Sequence, residues 1–131
     1  MTYMPEIPGT PGRAPRDLRV RRETGEHAVV VRVAGEVDLA NAGHLAQQLR
    51  EARREAASGR LIADLAEVGF LGSSGLVVLV RELESCDRCG VSLRIVSSSR
   101  PVLRSITMSG LGEVLPVSPT MDEALAAVQS P

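Results

Sequence analysis

The hydrophobic period of this chain switches back and forth between two values, and that alternation limits the possible folds more than any single residue does. Ala28–Val33 is a run rich in β-branched residues, which favour extended chain. From Leu39 through Ala42, Leu45 and Leu49 to Ala56, small and apolar residues recur at helical spacing, with Gln47, Arg50, Glu51 and Arg54 on the other side. Leu61–Leu65 is again short, apolar and bounded by turn residues, as a buried strand is. Leu76, Leu79, Val80, Leu83 and Cys86 return to helical spacing, and Val91–Val96 alternates as a strand does. Strands alternating with helices imply crossover connections and a largely parallel sheet.

The flanks complete that order. Leu18–Arg22 and Ala28–Val33, joined through a turn at Glu23–Glu26, predict an N-terminal β-hairpin. Asp38 is placed to cap the first helix and Gly59 to end it. Pro101 suits the first turn of a third helix that stops by Gly110. Val114–Val117 reads as an edge strand, since Pro116 cannot donate to a central ladder, and Thr120 with Glu123 matches the capping box of a closing helix. The expected class is α/β: a mixed, largely parallel sheet with an N-terminal β-hairpin and about four helices. Residues 1–16 hold Pro5, Pro8, Pro11 and Pro15 and are expected to form a flexible tail, leaving 17–131 as a single domain of ordinary size.

Composition excludes several function classes. The net charge of −1 supplies no basic surface, and one Tyr, one Phe and no Trp supply no stacking platform, so no nucleic-acid partner is expected. No apolar run reaches membrane-spanning length and no secretion signal opens the chain, which predicts a cytoplasmic protein without a membrane partner. Cys86 and Cys89 lie at the end of a helical pattern, where the helix dipole disfavours thiolate. Zinc would need further ligands, and His27 and His44 have no matching spacing. Ordinary thiols, with no metal and no cofactor, are the expectation.

The stretch from Asp64 to Arg81 carries the functional signal. A buried strand leads into a loop ending Gly72-Ser73-Ser74-Gly75, and a helical pattern begins at once. Free N–H groups and the positive end of the helix dipole favour an anion at such a point. A serine there also serves as a plain helix cap, the role expected of Ser74. Neither serine has glycine both two before and two after it, as a nucleophile elbow requires, and no base or phosphate-cradling motif accompanies them. The chain is not expected to be an enzyme.

Three segments at consistent spacing, Gly35–Asp38, Asp64-Leu65 with Val68–Leu76, and Met108–Leu111, resemble an anti-sigma factor antagonist made of a single STAS domain. The likeness spans roughly residues 17–128. It implies that Ser73 is phosphorylated by a partner anti-sigma factor that is a serine kinase. It also implies that the unphosphorylated protein binds that partner and releases the sigma factor, and that a serine phosphatase resets the switch. The residues it places at the partner surface are Asp38, Gly72, Ser73, Ser74, Gly75 and Leu76. Gly72 departs from the pattern, because the family usually carries an acidic residue there. The alternative reading keeps the fold without phosphorylation, as a STAS scaffold or ligand-binding module in a larger signalling assembly.

Overall fold

The structure, a computed structural model, describes residues 18–129; the expected tail lies outside them. Strand β1 (Arg19–Thr24) pairs antiparallel with β2 (Val29–Val37), forming the expected hairpin. Then β2, β3 (Arg60–Leu71), β4 (Ser92–Val96) and β5 (Val117–Ser118) run parallel, neighbour to neighbour, in chain order. The crossovers are α1 (Ala42–Glu55), α2 (Ser73–Cys89) and α3 (Arg100–Met108), and α4 (Met121–Gln129) follows β5. The mixed, mostly parallel sheet and four helices agree with the class expected from sequence.

Alternation along the strands sends side chains to two different layers. Val29, Val31 and Val33 of β2, with Leu61, Ala63 and Leu65 of β3, face Leu45 and Leu49 of α1, Leu79 of α2 and Ile106 of α3. Ala28, Ile62 and Val96 face the opposite way and pack on Ala124 and Val128 of α4. Helix α4 rests on β3, β4 and β5. The part of this face built by Arg19, Arg21 and Arg32 therefore remains partly or fully exposed.

Four local expectations are corrected. Residues 66–71, read as a loop, continue β3 up to Leu71. The register shows why: between Arg32 and Ala34 of β2 the facing strand advances from Asp64 to Glu67, and between Gly35 and Glu36 it advances from Val68 to Phe70. Each bulge inserts one extra residue, so burial falls on Leu65, Val68 and Leu71 at a spacing of three and hides the strand period. Leu39, assigned to the buried face of the first helix, lies in the turn before it and is 84% exposed. Gly59 does not end α1, which stops at Glu55; it makes the left-handed turn into β3 with φ 78°. The last strand starts after Pro116 rather than at Val114.

Helices α1 and α2 are joined by an ion pair with little solvent access. Arg53 Nε donates to Glu82 Oε2 at 2.7 Å, with side chains 16% and 7% exposed. The Cys86 thiol is buried and donates to the same carboxylate at 3.4 Å, and burial pushes its pKa up to about 12. This agrees with an inert thiol. Cys89 is exposed.

Candidate functional site

Parallel strands bring their C-terminal ends together, which is why segments far apart in sequence meet around Ser73. Val37, the last residue of β2, accepts the Gly72 N–H at 2.9 Å. Asp38 and Gly72 thus follow adjacent strands at one end of the sheet. Asp38 Oδ1 accepts the N–H groups of Ala40 and Asn41 at 3.0 and 3.2 Å, while Asn41 Oδ1 accepts the Asp38 N–H at 2.9 Å. That reciprocal pair is capping-box geometry around a turn leading into α1, although the helix itself starts only at Ala42, with Asn41 before it.

The start of α2 differs from expectation in one respect. Neither serine caps the helix: Gly72 occupies the N-cap position, without a side-chain cap, and Ser73 and Ser74 are the first two helical residues. Gly72 has φ −79° and ψ 176°, an extended conformation open to any residue. Its glycine is not imposed by the backbone. Gly75 is the opposite case, because a Cβ there would stand 2.5 Å from Leu71 Cδ1 and 2.8 Å from Val37 Cγ1. Only a bare backbone lets α2 approach the ends of β2 and β3 so closely.

Exposure sorts the expected partner residues. Ser73 is exposed and Ser74 is intermediate, whereas Gly75 and Leu76 are buried. Leu76 nonetheless borders a groove with Ser73 and Val77 of α2 and with Ser109 and Leu111 after α3. Ser73, Val77, Val80, Arg81 and Glu84 form a second stripe along α2, beside the buried one of Leu76, Leu79 and Cys86.

Sequence reading missed the apolar surroundings of that stripe. Val77 is 47% and Phe70 45% exposed, and Met108, just before Ser109, is 79% exposed. The Phe70 ring carbon Cε2 lies 3.3 Å from where a Cβ on Gly72 would be. Val77 was detectable as an apolar residue off the buried stripe; exposure of Phe70 depends on the β3 bulges. Among the described residues no group of three or more His, Cys, Asp or Glu is arranged to hold a metal ion, and no helix is long and apolar enough to cross a membrane. His44 is exposed on α1.

Comparison with known proteins matches residues 19–124 to the STAS domain. The chain is 40% identical over 112 residues to the anti-sigma-F factor antagonist RsfA of Mycobacterium tuberculosis, covering 84% of this chain and 87% of that one. A crystal structure of an anti-sigma factor antagonist from Mycobacterium paratuberculosis superposes with a TM-score of 0.81 at 32% identity, covering 89% of this chain and 98% of that one. The Bacillus cell-fate determinant SpoIIAA in its phosphorylated form shares the fold, with a TM-score of 0.62 at 20% identity over 85% of this chain and all of that one (100%).

Proposed function

The chain belongs to the STAS domain family, and we propose that it is an anti-sigma factor antagonist: it binds an anti-sigma factor and thereby frees a sigma factor, and phosphorylation of Ser73 turns it off. The antagonist role is supported by the 40% identity to a protein of that name. The observation that carries the switch is the exposed Ser73 hydroxyl at the first residue of α2, beside the Asp38 turn, in one groove with exposed Val77 and next to Gly72, against which the exposed Phe70 ring lies. Apolar surface around a polar centre suits a protein partner.

The chemistry asks nothing catalytic of this chain. A partner kinase transfers the γ-phosphoryl group of ATP to Ser73 Oγ; the O–P bond forms as the bond to ADP breaks, and the hydroxyl proton leaves to the kinase or solvent. A phosphatase reverses the modification with water as the nucleophile and inorganic phosphate as product. The added group carries about −1.5 to −2 charges at pH 7. The free N–H groups of the first α2 turn can hold it without rearranging the domain. At a packed interface, however, an unmatched dianion opposes association, and ~1.4 kcal/mol already means tenfold.

The test uses the cognate anti-sigma factor, identified by co-purification with the tagged protein. With ATP it should phosphorylate Ser73, located by mass spectrometry. Ser73→Ala should bind it as the wild type does and Ser73→Asp about tenfold or more weakly, a loss of at least ~1.4 kcal/mol. Equal affinities for all three, with no phosphate on Ser73, would favour the unphosphorylated STAS scaffold instead.

A further inference from the structure

The face of the sheet opposite α1 and α2 carries a cleft of ≈ 410 Å³ at the end of β1, β2 and β3 that α4 does not reach. Strand register sets out its walls. One row runs Arg21, Arg32, Asp64 across the three strands, and the next runs Arg19, Ala34, Glu67. The bulge between Asp64 and Glu67 brings Glu67 opposite Ala34. Ala34 is the small floor, with Arg19 on one side and Glu67 on the other, two strand spacings or about 10 Å apart.

The two rows differ in how their charges are met. Arg32 Nη1 donates to Asp64 Oδ2 at 2.7 Å and Arg32 Nε to Glu23 Oε2 at 3.1 Å, while Asp64 Oδ1 accepts the Ala66 N–H at 3.0 Å. Arg21 lies 3.8 Å from the same Glu23 oxygen. That row is neutralised internally. Arg19 and Glu67 make no ion pair among the described residues, yet both line the cleft.

Charged side chains on a sheet often serve to discourage edge-to-edge pairing, and that would account for β1. It does not account for Glu67, which has no ion-pair partner among the described residues and lies on β3, an interior strand. We propose that this cleft binds a small zwitterion of the amino-acid class, its carboxylate on Arg19 and its ammonium on Glu67. Guanidinium donors match a carboxylate in shape as well as charge, and a carboxylate on the far wall selects against plain anions.

The experiment titrates isotope-labelled protein at low salt with glycine, β-alanine, γ-aminobutyrate and δ-aminovalerate, which separate the same two charges by increasing lengths. Acetate and ethylammonium serve as the two halves. At least one amino acid should produce saturable amide shifts at Arg19–Arg21 and Ala66–Glu67, and should bind more tightly than either half. Arg19→Gln and Glu67→Gln should each weaken it about tenfold, as expected for losing one charge-assisted contact. A control pair, Arg88→Gln with Arg104→Gln, alters charge on exposed residues outside the cleft and should leave binding unchanged. The proposal is overturned if no member of the series saturates, if acetate binds as tightly as every amino acid, or if the control pair weakens binding as much as the cleft variants do. Thermal unfolding of each variant verifies that it is folded.

Discussion

Two glycines three residues apart play unlike roles, and only one is required by the fold. Gly75 stands where a Cβ would meet Leu71 and Val37 at 2.5 and 2.8 Å. Gly75→Ala should therefore destabilise the protein by about 1–3 kcal/mol, the range for overpacking a tight contact, read as a lower urea midpoint. Gly72 has ordinary backbone angles, and its nearest obstacle is the edge of the half-exposed Phe70 ring at 3.3 Å. Gly72→Asp should fold and gain roughly 0.5 kcal/mol from a capping carboxylate at the helix N-terminus. In a phosphorylation assay with the cognate kinase it should also react faster than the wild type, since it restores the acid that the family resemblance leads one to expect. Unchanged rates would show that the acid has no part in recognition of Ser73. The sequence could mark Gly72 as a departure but could not tell which glycine the packing needs.

Among the elements, α1 and α2 depend on one another through more than apolar contact. Glu82 is buried and paired with Arg53 at 2.7 Å. Removing one partner strands the other charge, so Glu82→Ala should cost about 3 kcal/mol, toward the lower end for broken buried pairs. A calorimetric midpoint lower by roughly 10 °C is the corresponding readout. Replacing both, Arg53→Met with Glu82→Leu, should restore most of that loss, because two desolvated charges are exchanged for packing. If the double variant is as unstable as Glu82→Ala, the pair is specifying the helix contact rather than merely filling it. Strand β3 gives the complementary lesson. Its two bulges change which residues face the core, turn Phe70 outward next to the switch, and set Glu67 opposite Ala34.

For the whole molecule, the hairpin strand β1 is tied to its surroundings by carboxylate–guanidinium contacts. Arg22 donates to Gln48, Glu51 and Glu55 of α1. Arg32 donates to Glu23 of β1 itself. Hydrogen bonds from Arg22 hold Glu51, and those from Arg32 hold Glu23, below the ordinary carboxylate value. A group whose folded pKa is depressed contributes stability above its unfolded value and loses it as pH falls through the folded value. Stability should thus decline on acidification below the unperturbed 4.5 of these groups. The double variant Glu23→Gln, Glu51→Gln should flatten that part of the urea midpoint against pH, and should change little at neutral pH because exposed pairs are well screened.

The order of strands and helices was determined by sequence alone, because periods of two and of three to four are local properties of the chain. So were the Thr120 hydroxyl accepting the Glu123 N–H and Ser73 at the head of α2. Asp38, expected to cap the first helix, instead caps a turn before it and leaves Asn41 at the N-cap position of α1. Tertiary structure decided whatever depends on how strands register and how closely elements approach. The bulges that make residues 66–71 strand, the exposure of Leu39, and the need for glycine at 75 but not at 72 are of that kind. So is the cleft, whose Arg19, Ala34 and Glu67 lie far apart in sequence and share a row only because three strands pair in one particular register. Register is fixed by long-range pairing, and no local pattern encodes it.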